Sequence, residues 1–243
     1  MKSLKEHILE GILDIENNIN IDTSEMAKDV IEKFLKDNYN ISGSYTIKET
    51  KSGFIVDVED DVRVINKDIT SLTNEFFEFG VVSRHFDCSG CKTLQSLNGA
   101  PKEVKWEFNC VNCNSLKTLE GAPQKAGSFD CRRCNSLTSL KGAPKEVGKD
   151  FYCSGCKSLK TLEGAPQKVG GFFDCSDCKS LKSLEGAPEK VRGFFNCSYC
   201  DNLISLEGAP KEVGRDFYCT HCVIHFKKYD VEKYTKVTKN IYV

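Results

Sequence analysis

Phe173-Asp174-Cys175-Ser176-Asp177-Cys178-Lys179-Ser180-Leu181-Lys182-Ser183-Leu184-Glu185-Gly186-Ala187-Pro188-Glu189-Lys190-Val191 decides how the chain is read, because near-copies of it fill residues 82 to 222. Its first cysteine recurs at Cys88, Cys110, Cys131, Cys153, Cys175, Cys197 and Cys219, in steps of 22, 21, 22, 22, 22 and 22 residues. A period of that size marks a solenoid: one unit is too small to bury its own apolar face and must lean on its neighbours.

Within a unit, Phe195-Asn196-Cys197 alternates with period two, so Phe195 and Cys197 point one way along a short strand. All six prolines sit in Gly-Ala-Pro turns, at Pro101, Pro123, Pro144, Pro166, Pro188 and Pro210. Proline fixes φ and donates no hydrogen bond, which suits a bend and not a ladder. The remaining segments are too short for a full helix. Each coil is therefore expected to be strand and tight turn.

Outward from the array, residues 1–40 read as an N-terminal helical segment, 41–82 as a β cap with a degenerate first repeat, 83–222 as the solenoid and 223–243 as a C-terminal cap. Leu4, Ile8 and Ile12 fall at i, i+4, i+8, a short amphipathic helix over residues 2–12. A second helix is expected over 24–38, with Ala27, Val30, Ile31, Phe34 and Leu35 on one face. Tyr45-Thr46-Ile47 and Phe54 to Val58 alternate around Lys51-Ser52-Gly53, a β-hairpin, and Val62 to Ile65 reads as a further strand. Beyond Cys222 a helix near 231–237 is expected, with the last three residues pairing to the final coil.

The 243 residues carry a net charge near −1, which argues against nucleic acid as a partner, since binding it draws on a surplus of Lys and Arg. No run of about 18 apolar residues occurs, so no membrane span is expected. The first dozen residues lack a secretory pattern, so a cytoplasmic location is expected, where the 14 cysteines are thiols or metal ligands and not disulfides.

The pattern Phe-x-Cys-x-x-Cys-x-x-Leu-x-x-Leu-x-Gly-Ala-Pro-x-x-Val resembles a divergent, cysteine-bearing leucine-rich repeat of bacterial and bacteriophage type. Phe173 and Cys175 match the strand positions and Cys178 the Asn/Cys ladder position. Two departures stand out: Gly170 occupies the first leucine position, and two residues instead of one separate Cys178 from Leu181. The resemblance implies a fold that is α/β by leucine-rich-repeat convention, here a β-rich, short-coil parallel solenoid with an N-terminal helical and β-hairpin cap. It also implies that both cysteines of each pair lie inside the coil. The amino terminus resembles a phage capsid-targeting peptide, in which Ile8-Leu9-Glu10 before Gly11 would be the prohead-protease site. That would make Glu10 and Gly11 processing residues of a protein packaged in a virion.

Seven CxxC pairs also raise zinc, because CxxC is half of a common structural site and neighbouring coils could bring four thiolates together. Seven is an odd number, however, and each coil already has Phe, Val and two Leu for a core; cysteine also packs well as a small apolar residue. The favoured reading is a buried thiol ladder with no cofactor, and zinc-clamped coils are the alternative. His221, inside the last pair, and His225 leave a local metal site open. Seven equivalent pairs cannot each be a redox active site, and no catalytic constellation is present, so an enzyme is not expected.

The positions after each Gly-Ala-Pro, such as Glu103, Lys125, Glu146, Lys168, Lys190 and Glu212, mostly oppose unlike charges and read as a solvated edge. The strand face varies more. Phe172 and Phe194 are expected side by side and exposed, near Tyr152 and Tyr218, rimmed by Asp130, Asp174 and Asn196. Adjacent exposed aromatics with an acidic rim fit a protein-binding patch. The expected function is non-enzymatic binding of a protein partner, in the phage setting one from the bacterial host, by a monomer.

Overall fold

A computed structural model describes residues 23–243. The helix expected over residues 2–12 and the Glu10–Gly11 processing site lie outside the described residues.

Helix α1 spans Thr23–Asn38. Ala27, Ile31 and Leu35, at i, i+4, i+8, are buried, and the Phe34 ring packs at 5.0 Å from Phe76 and 6.0 Å from Phe77. Val30, expected on the same face, is 37% exposed, because it lies at the edge of a narrow buried stripe. The Asn38 side-chain amide donates to the Phe34 carbonyl at 3.0 Å, which satisfies one of the carbonyls a helix end leaves open.

The chain then builds the start of the array. Strand β1 (Tyr39–Ile41) pairs antiparallel with β4 (Val62–Val64), and β2 (Tyr45–Thr50) forms the expected hairpin with β3 (Gly53–Val58). Every later pairing is parallel, one coil onto the next. The result is a β-solenoid of about nine turns in which the coils at Glu103–Asn109 and Lys125–Asp130 contribute one strand each and the later ones two short strands, for example Lys168–Val169 and Phe173–Asp174.

The parallel register lines identical residues up inside. Phe86, Phe108, Phe129, Phe151, Phe173, Phe195 and Phe217 form one column, with ring centroids 5.2–5.5 Å apart and nearly parallel planes. These rings, like the leucines at Leu94, Leu97 and their repeats, have no exposed surface up to Leu203. Burying each such side chain stabilises by roughly 1.5–3 kcal/mol, so the core is a sum of equal layers.

The Gly-Ala-Pro turn needs its glycine. Gly186 has φ of +86°, and a Cβ there would run into the backbone of Leu162 and Glu163 in the preceding coil. The Ala187 N–H then closes the turn on the Leu184 carbonyl at 3.0 Å. One coil is a residue shorter: pairing runs Glu103 with Lys125 and Val104 with Ala126, shifts, and resumes at Glu107 with Ser128 and Phe108 with Phe129. The missing residue is thus absorbed in the bend around Gly127, and the inner columns stay aligned.

At the carboxy end the helix lies earlier than expected. Helix α2 is Lys228–Glu232, not residues 231–237. Lys236–Val237 is a strand on Glu212–Val213, and Ile241–Tyr242 pairs with Phe217–Tyr218, as expected for the last residues. The physical reason is register: Val237 continues the valine column and must therefore be extended.

Candidate protein-interaction face

Most of the Asp and Asn side chains that precede the first cysteine of each coil shape the CxxC turn. Asp174 accepts the Ser176 N–H at 3.0 Å, Asn196 the Ser198 N–H at 3.0 Å, and Asp130 the Arg132 N–H at 3.0 Å. These are Asx turns, in which a short polar side chain bonds the backbone two residues on. Tyr152 and Tyr218 occupy the same column, leaving a phenol ring on the wall where the other coils place a turn-forming group.

Asp130 is the correction. Expected on the rim of a binding patch, it is 1% exposed, and the Arg132 Nε lies 2.9 Å from each of its carboxylate oxygens. The same guanidinium sits 5.2 Å from the centroid of Tyr152. Asp130 is therefore covered by a cation, because a carboxylate leaves water only when paired. Tyr152 belongs to this cluster and does not join the phenylalanines; burial first, then the nearby Asp150 carboxylate, push its phenol up to about 12.

Phe172 and Phe194 do lie side by side. Their centroids are 3.9 Å apart with planes 13° from parallel, and each is half-buried instead of fully exposed, since each ring covers a face of the other. Gly193 makes that approach possible: a Cβ there would strike the Phe172 ring. The row continues edge-on to Tyr218 at 5.9 Å and by stacking to Tyr242 at 4.8 Å. Acids border it, with the Asp150 carboxylate accepting the Phe172 N–H at 2.8 Å and Asp216 accepting the Asn240 N–H at 3.1 Å.

The sequence reading missed three participants. Arg132 follows Asp130 by two residues and would have been visible as the one coil with Arg-Arg inside its CxxC. Tyr242 would have been found by aligning Ile241-Tyr242 on Phe217-Tyr218. Trp106, the single tryptophan, stands 47% exposed at the other end of the same face, with Arg84 at 4.6 Å over its ring and His85 edge-on at 5.4 Å; no local signal separates it from a core residue.

All 14 cysteines are buried free thiols. From the second pair on, the second cysteine donates to the carbonyl of the first in the preceding coil, as from Cys134 to Cys110 at 3.1 Å and from Cys156 to Cys131 at 3.1 Å. Burial pushes the Cys91 thiol up to about 11 and Cys197 up to about 12. Among the described residues, no group of three or more His, Cys, Asp and Glu side chains is placed to hold a metal ion. His221, considered as a ligand with its flanking cysteines, points outward and stacks on Tyr199 at 4.6 Å, whereas Cys219 and Cys222 point inward. The charged edge pairs across coils, with Lys125 to Glu146 at 3.1 Å and Lys190 to Glu212 at 2.8 Å.

No helix among the described residues is long and apolar enough to cross a membrane. Comparison with protein-family models, curated proteins and solved structures returned no significant match.

Proposed function

We propose that this chain is a non-enzymatic, leucine-rich-repeat-like solenoid that binds a protein partner through its strand face, at the aromatic row Phe172, Phe194, Tyr218 and Tyr242. The observation that carries the reading is that this row occupies only the last four coils, although all coils stack at one spacing. Stacking alone therefore does not demand it. Large, rigid, partly wet aromatics with a polar rim are what interface centres are made of.

The test compares wild type with Phe194→Ala and Tyr218→Ala against a partner isolated on the wild-type chain. Loss of roughly 30-fold in Kd, with a melting temperature lowered by no more than about 4 °C, is expected, since a central anchor is worth about 2 kcal/mol. Equal affinity in all three would overturn the assignment. The phage setting is part of the proposal and has its own test: virion-derived protein should begin at Gly11, and an intact Met1 there would remove it. A native mass of one chain is expected.

A further inference from the structure

The edge that follows the Gly-Ala-Pro turns alternates in charge from coil to coil, with one exception. Lys168 and Lys190 are register partners in adjacent coils, and like charges directly opposite each other destabilise a sheet. Lys190 is relieved by Glu212 at 2.8 Å. Lys168 is not: Glu146, in the preceding coil, is taken by Lys125 at 3.1 Å, and Glu189, whose carboxylate also senses Lys168, is taken by Lys211 at 2.7 Å.

That exception lies in a groove of about 700 Å³ crossing five coils. Its floor is bare main chain, because the residue after the inner valine column reads Lys105, then Gly127, Gly148 and Gly170, then Arg192. Two of the three glycines are demanded by the fold: a Cβ at Gly127 would strike the Trp106 carbonyl, and one at Gly170 the Gly148 carbonyl. Gly148 is not, since its φ lies outside the left-handed region and a Cβ there would meet nothing nearer than the Gly127 carbonyl oxygen at 3.8 Å. A side chain at that position would instead stand in the groove. Lys105, Lys125, Lys145, Lys168, Lys190 and Arg192 line it against only Glu103 and Glu146, although the chain as a whole has a net charge of −1. Among the described residues, the exposed Lys105, Lys145, Lys168 and Arg192 side chains make no ion pair.

We propose that this groove holds an extended acidic segment of the protein partner. The inference rests on the reading that the solenoid binds a protein, and it gives that partner a chemistry. Lys105 and Arg192 stand four coil steps apart, about 19 Å, the length of about six extended residues. Carboxylates spaced along such a segment meet the unpaired cations while its backbone passes over the glycines. The groove also runs on into the aromatic row, because Phe172 follows Gly170 and Phe194 follows Arg192 by two residues, so one partner spans both. A nucleic-acid strand fits less well: Glu103 and Glu146 would face a charge on every nucleotide, whereas a peptide places uncharged residues beside them.

The test titrates fluorescein-labelled hexaglutamate against the full chain by fluorescence polarisation in low salt, where exposed charges are least screened. Lys168→Glu with Arg192→Glu should weaken binding by roughly tenfold, and Gly148→Leu, which fills the groove and changes no charge, by a similar factor. Lys157→Glu with Lys160→Glu, the same change of charge on exposed residues outside the groove, should alter it by less than about twofold. Thermal melts check that each variant folds. The partner isolated on the wild-type chain should lose affinity with both groove variants. Phe194→Ala should weaken that partner and leave hexaglutamate binding untouched, so the groove and the row can fail separately. Absence of hexaglutamate binding, no loss in the groove variants, an equal loss in the Lys157 and Lys160 variant, tighter binding of a single-stranded oligodeoxythymidylate of equal charge, or a partner indifferent to both groove variants would each overturn the proposal.

Discussion

Two aromatic files run along this solenoid, one inside and one outside, and they obey different rules. The inner file is phenylalanine in seven successive coils, with rings 5.2–5.5 Å apart. The outer file changes from stacked at 3.9 Å, to edge-on at 5.9 Å, to stacked at 4.8 Å within four coils, whereas the earlier coils carry His85, Glu107, Ser128 and Asp150 at the position of Phe172. Both ride on the same backbone spacing. Inside, each ring sees the same neighbours in every coil, so one shape fits throughout; outside, water accepts any residue, and a local run of aromatics has to be explained by something other than the fold.

The largest break between inside and outside should come from alkali. Burial holds Cys91 and Cys197 protonated well above the ~8.5 of an unfolded cysteine, at about 11 and about 12, whereas the hydrogen bond with Cys88 lowers Cys113. A raised folded value contributes stability that is complete below ~8.5 and lost as pH rises, by ~1.4 kcal/mol per pH unit for each such thiol. For Cys91 and Cys197 alone the loss by pH 9.5 is about 3 kcal/mol, and the other raised thiols of the ladder add to it. Urea melts in reductant at pH 7.5 and 9.5 measure this, and equal midpoints would mean that the cysteines do not lose protons on unfolding.

Next in size is a pair of truncations. Phe151→Ala, in the inner file, should cost about 3–5 kcal/mol by opening a cavity between two rings that cannot close it. Phe172→Ala, in the outer file, should cost about 1 kcal/mol, because water fills the space. Denaturant midpoints that match for the two variants would erase the distinction between the files. The same contrast applies to the acids of one column: Asp130→Ala strands Arg132 beside a buried hole and should cost about 2–3 kcal/mol, whereas Asp174→Ala loses one turn hydrogen bond and should cost about 1 kcal/mol.

The smallest effect is in acid, and it falls on the cap. Burial raises the Asp57 carboxyl, but the Lys48 ammonium and the Val81 N–H outweigh it, so it lies below the usual carboxylate range. Its contribution is present above the unfolded value of ~3.9 and lost as pH falls through the lower, folded one. Lys48→Ala should leave the alkaline limb unchanged and flatten the acid limb slightly; a changed alkaline limb would couple cap and ladder.

What the sequence made legible follows from this inside–outside rule. Cysteine spacing, Gly-Ala-Pro turns and the Phe-x-Cys alternation repeat because the interior repeats, so strand position and hairpin cap could be read directly; the seven CxxC pairs undercount the solenoid's roughly nine turns, because the turns beyond the array carry no CxxC. The C-terminal helix was displaced because only one turn of it exists, and apolar periodicity over Val231 to Val237 is equally served by one buried helical valine and one strand valine. On the surface, Phe172 and Phe194 were placed together by column alignment alone. The burial of Asp130 was not, because it depends on the arginine two residues later folding back over its own turn, a contact between side chains with no periodic trace.

The short coil between Cys110 and Cys131 bears on how the chain finds its alignment. With near-identical units, a strand could dock one coil out of place and still bury Phe on Phe and Leu on Leu, a mistake that interior packing scarcely punishes. The bend at Gly127 lies close over the carbonyls of Lys105 and Trp106, which a Cβ there would strike. It acts like the notch on a key: Phe129 follows Ala126 by three residues, whereas Phe108 follows Val104 and Phe151 follows Val147 by four, so the short corner falls at one place in the stack and moves when the coils are threaded one unit out.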